Sequence, residues 1–340
     1  MQCQVGHHGH SRYYFVLELA EAMRKIVAAV FPGQGAQRPG MGKDFYDEIA
    51  VSRQTYEEAS DALGWDVATL CFREDERLNL TEFTQPCLLT TEIAALHGLN
   101  FRHGFAPTIF GGHSLGEFTA LAAAGVLPLA DAVKIVHTRG QLMQQAVPIG
   151  LGGMAAVISN NIDLEIVRQA LVDLPLDVAN ANSAHQVVIS GYLSALPEAE
   201  KRLRTSLSHD QGFRFVPLNV SAPFHSRFMQ PVGARFADTL REHGSNLMAD
   251  NAVQVTSNFT GQFHSNAPEA IIFGLIAQLS NTVRWVDNMK CLAANTNMIY
   301  EIGPSRPLRD FFKTVDISCA SITSLATAER TFRESNGSTA

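Results

Sequence analysis

The stretch IFGGHSLGEFTA, residues 109–120, decides how the chain is read. A short apolar run ends in Gly112, His113, Ser114, Leu115, Gly116, the spacing GxSxG, and an alanine-rich run with helical character follows. A serine at a sharp strand-to-helix turn presents its Oγ to solvent, and small neighbours are needed because a side chain there would strike adjacent backbone. The helix that starts after it offers backbone N–H groups and a positive dipole end to a developing oxyanion. Many ordinary glycine turns share the five-residue pattern, so the strand before it and the helix after it carry the reading of Ser114 as a nucleophile.

Outward from that turn the pattern alternates. KIVAAVF (25–31) reads as a buried strand, MGKDFYDEIAVSRQTYEEASDAL (41–63) as one helix, and LLTTEIAALHGLNFRHG (88–104) as a second, entered at a boundary set by Pro86. Strands followed by helices in this order imply a mainly parallel sheet covered on both faces. The middle of the chain differs. GGMAAVIS (152–159), LDVANANSAHQVVISG (176–191) and FRFVPLNVSA (213–222) are β-rich, with the helical NIDLEIVRQALVDL and LSALPEAEKRLRTSL between them, an order that suits a small ferredoxin-like insertion. QVTSNFTGQ, a long helix ending in AQLSNTVRW, and NMIYEIGP resume the larger unit. The boundaries expected are an N-terminal extension over 1–22, a large unit from 23–148 and 217–330, a small one over 149–216, and a flexible polar tail over 331–340.

Composition narrows the function classes. With 340 residues and a net charge of −7, the chain lacks the concentrated Lys/Arg face that nucleic-acid phosphates require. Cys3, Cys71, Cys87, Cys291 and Cys319 are scattered and form no CxxC pair, which points away from a disulfide framework or zinc site and towards a reducing cytoplasm. The apolar run YYFVLELAEAMRKIVAAVFPG is broken by Glu18, Glu21, Arg24 and Lys25, so neither a signal segment nor a spanning helix is expected. His7, His8 and His10 sit in the leader without a carboxylate or cysteine beside them, and Met23 offers an internal start. No metal site is expected, and a monomer is the default.

A serine nucleophile needs a base. Of the 12 histidines, His225 in VSAPFHSRFM stands out, bracketed by Pro223 and Ser226 in a loop just after a β-rich stretch. His113 points across the turn, away from Oγ, and reads as structural support.

The segments FPGQGAQRPGMG, TQPCLLTTEIA, GGHSLGEFTALAAAGVL, TRGQLMQQAVP, GGMAAVI, ANANSAHQVVISG, VSAPFHSRFM, QLSNTVRW and EIGPSRPL occur in the order and spacing of the malonyl-CoA:acyl-carrier-protein transacylases. The resemblance runs from about residue 23 to about 325. It covers both the free-standing enzymes of fatty-acid synthesis and the acyltransferases that serve polyketide synthases in trans. It implies an α/β-hydrolase-like large domain with a parallel sheet and nucleophile elbow, plus an inserted ferredoxin-like domain. It implies further that Ser114 carries the acyl group as an ester, that His225 is its base in a Ser–His dyad, and that the backbone carbonyl of Gln278 orients that base.

By the same resemblance Gln34 and Leu115 supply the oxyanion-hole N–H groups, and Arg139 grips the free carboxylate of malonate, a task for which a planar fork of donors is suited. Phe224 matches a position that is bulky in malonyl-selective members; Asn182 and Gln85 match residues near the cleft. No bound cofactor is implied: malonyl-CoA is the donor and a phosphopantetheinylated acyl carrier protein the acceptor. Two residues depart from the family pattern, Ala184 and His185 standing where proline and glycine are usual, and the cluster Lys201, Arg202, Arg204 is a candidate for carrier docking. The alternative is an acyl hydrolase of the same fold, which would clear carrier proteins by admitting water to the Ser114 ester.

Overall fold

The structure, a computed structural model, describes residues 26–207, 211–220 and 222–337; the leader with its three histidines, Cys3 and Met23 lies outside the described residues. The strands are β1 (Val27–Phe31), β2 (Ile109–Gly112), β3 (Gly152–Ile158), β4 (Leu176–Ser183), β5 (Gln186–Tyr192), β6 (Arg214–Pro217), β7 (Met298–Ile302) and β8 (Cys319–Ile322). The α-helices are α1 (Lys43–Glu48), α2 (Ala50–Leu63), α3 (Val67–Phe72), α4 (Thr81–His103), α5 (Leu115–Ala123), α6 (Leu129–Gln145), α7 (Leu164–Ala170), α8 (Leu196–Ser206), α9 (Gly233–His243), α10 (Pro268–Gln278), α11 (Trp285–Asn295), α12 (Pro307–Lys313) and α13 (Leu325–Gly337).

One sheet is parallel, in the order β2-β1-β7-β8. Its central strand β1 is apolar throughout because both its faces are covered: Ala29 and Phe31 join one core, and Ala28 and Val30 join another with Trp285 and Leu292 of α11 and Phe312 of α12. The second sheet is antiparallel, in the order β4-β5-β3-β6, with α7 linking β3 to β4 and α8 linking β5 to β6. That βαββαβ path and strand order are ferredoxin-like, so the α/β-hydrolase-like fold with a ferredoxin-like addition is what the chain adopts. Backbone bonds join the two parts: Ala181 N–H donates to Val283 O at 2.9 Å, and Val283 N–H to Ala179 O at 2.8 Å.

Four local expectations are corrected. The helix read over 41–63 is two helices, because Ile49 is extended (φ −126°, ψ 115°) between α1 and α2. Pro86 does not bound a helix; it lies inside α4, which starts at Thr81. A proline there leaves the carbonyl four residues earlier without its N–H donor, and that carbonyl, of Glu82, instead pairs with His137 Nδ1 of α6 at 2.9 Å. The helix expected to run through AQLSNTVRW stops at Gln278, and a new one starts at Trp285. The flexible tail read from 331 is helical as far as Gly337, and Phe332 packs against the rings of His103, Phe105 and Tyr300.

The turn between β2 and α5 is the tightest point of the parallel layer. A Cβ on Gly112 would lie 2.0 Å from the backbone of Gly116, and one on Gly116 would lie 2.1 Å from the carbonyl oxygen of Phe31 in β1. Both contacts are with backbone, which cannot rotate aside. Gly116→Ala is therefore expected to destabilise the protein by about 3 kcal/mol or more, read from the urea midpoint; a loss below about 1 kcal/mol would show that the elbow relaxes at little cost.

Candidate active site

Ser114 sits at the N-terminus of α5 with φ 52° and ψ −100°, a backbone conformation that a side chain rarely adopts. Such a residue costs on the order of 1–3 kcal/mol and persists only where its surroundings hold it. Here the Ser114 N–H donates to Asn258 Oδ1 at 2.6 Å, and its carbonyl accepts from Gln278 Nε2 at 3.0 Å. The strain aims Oγ out of the turn towards His225, whose Nε2 is 2.7 Å away.

His225 is buried, and it too has a positive φ, 57°. Its Nδ1 lies 2.8 Å from the backbone oxygen of Gln278. A carbonyl can only accept, so Nδ1 carries the proton and Nε2 presents a lone pair to the serine hydroxyl. Gln278 ends α10, where carbonyl groups lack an intrahelical donor, which leaves this one available. Burial first, and then the nearby charge of Arg139, push the His225 pKa down to about 3, against a smaller opposing pull from the Gln278 bond.

Arg139, on α6, is 1% exposed. Nη1 donates to Gln85 Oε1 at 2.8 Å; Nη2 donates to Gln278 Oε1 at 2.7 Å and to Ser114 Oγ at 3.2 Å. The guanidinium lies over the ring of Phe118, 5.2 Å from its centroid, and Nε has no partner. Burial lowers the Arg139 pKa to about 10, with Glu117 pulling the other way. Among the described residues no carboxylate comes within ion-pair distance of it, so no protein anion offsets this buried charge beside the serine.

A cavity of about 310 Å³ opens over these groups. Gly33, Gln34 and Gly35 from the loop after β1, Ser114 and Leu115 from the elbow, Phe224 from the loop after β6 and Asn182 from β4 all line it. Among the described residues the backbone N–H groups of Gln34 and Leu115 have no protein acceptor, and both residues border the space next to Oγ. The Gln34 side chain donates to Thr81 Oγ1 at 3.2 Å. His113 pairs through Nε2 with Asn182 Oδ1 at 2.8 Å; Asn182 in turn donates to Gln186 Oε1 at 2.8 Å.

Two sequence features lie apart from these. Ala184 and His185 form the turn between β4 and β5, and neither lines the cavity. In the basic cluster, Arg202 and Arg204 pair with Glu198 and Glu200 one turn earlier on α8, which offsets their charge.

Three polar residues of the site escaped the sequence reading. Asn258 holds the Ser114 backbone and donates through Nδ2 to Gly112 O at 2.8 Å. Glu117 is fully buried and accepts from His264 Nε2 at 2.8 Å, from the Asn258 N–H at 3.1 Å and from Gln278 Nε2. The signal for Glu117 was present: an acidic residue inside the apolar run LGEFTALAAAGV needs buried partners. Nothing in the local pattern marks Asn258 or His264. Among the described residues no group of three or more His, Cys, Asp or Glu is placed to hold a metal, and no helix is long and apolar enough to cross a membrane.

A strained serine, a neutral histidine and a buried arginine on an α/β-hydrolase-like frame define an acyl-transfer type of site. The family model described as acyl transferase domain matches residues 29–304. The malonyl CoA-acyl carrier protein transacylase of Bacillus subtilis (strain 168) is 36% identical over 298 residues, covering 85% of this chain and 90% of the relative. That of Escherichia coli (strain K12) is 37% identical over 293 residues, covering 85% and 92%. Among solved structures, the Clostridium perfringens malonyl CoA-acyl carrier protein transacylase superposes with a TM-score of 0.82 at 33% identity, covering 92% of this chain and 98% of its own. A malonyl-transacylase solved in complex with its type II PKS acyl-carrier protein gives a TM-score of 0.82 at 33% identity, covering 91% and 99%. The chain belongs to the malonyl CoA-acyl carrier protein transacylase family.

Because the histidine pKa is lowered, its neutral, proton-accepting form persists as pH falls. The second-order rate of Ser114 acylation by a small activated ester such as p-nitrophenyl acetate should therefore stay flat between about pH 5 and 8. An acidic limb centred near the ordinary histidine value of about 6.5 would contradict a buried, neutral His225.

Proposed function

We propose that this chain moves a malonyl group from malonyl-CoA to the phosphopantetheine thiol of an acyl carrier protein through an ester on Ser114. The observation that carries the reading is Arg139: a buried guanidinium 3.2 Å from the serine Oγ, with no protein carboxylate against it among the described residues. An acyl group ending in a carboxylate supplies the missing anion, and a monoacyl group such as acetyl does not.

In this mechanism Ser114 Oγ attacks the thioester carbonyl carbon while His225 Nε2 takes its proton. The tetrahedral oxyanion lies against the N–H groups of Gln34 and Leu115, reinforced by the N-terminus of α5. The C–S bond breaks, His225 returns the proton to the departing CoA sulfur, and the malonyl ester remains on Ser114. The carrier thiol then repeats the sequence in reverse, giving its proton to His225 as its sulfur attacks the ester, and Ser114 recovers the proton as it leaves. The imidazolium formed in each half is stabilised by the Gln278 carbonyl in place of a carboxylate. Every step uses side chains, backbone groups and the two thiols, so this mechanism calls on no bound cofactor.

Residues 149–216 act in this reading as the smaller unit that closes the cleft through Asn182 and the neighbouring wall, and 23–148 with 217–330 as the catalytic unit. Phe224, buried beside the dyad, fills the volume an α-methyl group would need. Cys71, Cys87, Cys291 and Cys319 are buried free thiols, which supports a reducing cytoplasm. The malonyl supplied serves fatty-acid or polyketide synthesis. The hydrolase alternative is not favoured, since an enzyme clearing varied monoacyl chains gains nothing from a buried cation at the serine.

Intact mass after incubation with malonyl-CoA should show a malonyl adduct that is absent in Ser114→Ala and discharged onto added carrier protein; release of free malonate without transfer would favour the hydrolase. Arg139→Ala should lower kcat/KM for malonyl-CoA about 100-fold, the worth of roughly 3 kcal/mol of charge-assisted hydrogen bonding, and lower that for acetyl-CoA by no more than about tenfold, the part that comes from loosening Gln278. An equal fall for both would remove the carboxylate-binding role. Phe224→Ala should narrow the preference for malonyl over methylmalonyl by ~1–3 kcal/mol, measured from paired kcat/KM values; an unchanged ratio would clear Phe224 of that task.

A further inference from the structure

Behind the dyad lies a carboxylate that the mechanism above leaves without a task. Glu117 lies on α5, one turn past Ser114, with no exposure to solvent. Its Oε2 accepts from Gln278 Nε2 and from the Asn258 N–H at 3.1 Å, and its Oε1 accepts from His264 Nε2 at 2.8 Å. Ion pairing with an exposed partner is excluded by this burial, so what the carboxylate contributes must be conveyed through the residues it touches.

Of these, Asn258 reaches the Ser114 backbone N–H, whereas Gln278 reaches the Ser114 carbonyl and, in addition, both Arg139 and His225. The Gln278 Nε2 donates to Glu117 and, at 3.0 Å, to the carbonyl of Ser114; its Oε1 accepts from Arg139 Nη2 at 2.7 Å. Turned end for end, the same amide would set NH2 against the guanidinium, donor against donor, and its oxygen against Glu117 and the Ser114 carbonyl, acceptor against acceptor. Glu117 and Arg139 together therefore permit a single orientation. The backbone carbonyl of the same residue holds His225 Nδ1 at 2.8 Å. Because Gln278 is the last residue of α10, its carbonyl is not held by a helical hydrogen bond, and its side chain is the part of the residue tied down on both sides.

We propose that Glu117 is a positioning residue for acyl transfer, acting through Gln278 to aim one oxygen at Arg139 and another at His225. The base and the carboxylate grip are thereby set by the same buried anchor. This rests on the reading of Ser114 and His225 as the acyl-transfer dyad.

The test measures Ser114 loading by rapid quench and intact mass with malonyl-CoA and acetyl-CoA, with folding followed by circular dichroism. Gln278→Met, which keeps the backbone carbonyl, should lower the loading kcat about tenfold for both donors and raise KM for malonyl-CoA alone. Glu117→Met should show the same split, and combined with Gln278→Met should cost less than about threefold more, since both remove one device. Glu117→Gln, which keeps an oxygen for Gln278, should stay within about threefold of the parent chain. Losses that multiply in the double variant, or a Glu117→Gln as impaired as Glu117→Met, overturn the proposal. If Glu117→Met does not fold, Gln278→Met decides: a parental KM ratio between the two donors overturns it. A parent chain that takes no acyl group on Ser114 overturns the acyl-transfer reading and this inference with it, whereas a loading parent with an unaltered Gln278→Met ratio overturns this inference alone.

Discussion

A guanidinium in an apolar interior must find partners or lose its charge, and the centre of this protein is organised by that requirement at Arg139. Removing an ion from water costs several kcal/mol even after relaxation. Gln85 and Gln278 each give a side-chain oxygen, Ser114 gives its Oγ, and Phe118 gives the face of its ring. These partners come from α4, α10, the elbow and α5, so satisfying one side chain draws four parts of the chain to a common point. The long helix α4 is polar on part of its buried surface for related reasons: Thr84, Gln85, Thr91 and Glu92 all face protein.

The elbow adds a second demand. Ser114 has a backbone conformation that would relax if left to itself, and it is held by bonds from residues far along the chain, Asn258 and Gln278. Both of those residues also bind Glu117, so the strained turn, the base and the cation share one hydrogen-bonded interior. The antiparallel sheet then closes over the cavity through Asn182 and His113, and the pairing of Ala179 and Ala181 with Val283 fixes its position on the larger part.

Much of this was legible in the chain itself. The continuous apolar run of β1, the strand–serine–helix turn and the alternating β-rich middle segment each follow from local periodicity, and local periodicity survives folding. Pro86 misled because the carbonyl it frees is satisfied by His137, a partner supplied by another helix. The helical end of the chain was likewise hidden, since Phe332 is ordered by rings from residues 103, 105 and 300. Asn258 and His264 were missed for the same reason: an isolated polar residue reads alike whether it faces water or a buried network. Only the partners, contributed from over a hundred positions away, tell the two apart.

The sharing of Gln278 between Arg139 and His225 bears on how such a protein diversifies. If Arg139 selects the acyl group as proposed, a change at the cation also disturbs the partner of the base, so selection acting there trades turnover against selectivity. Phe224 contributes a ring to the cavity wall and no hydrogen bond to that interior. On the proposed reading of Phe224, substitution of its side chain is thus the more permissive route by which a lineage, or an engineer, reaches a different acyl group while the His225–Gln278 hydrogen bond stays as it is.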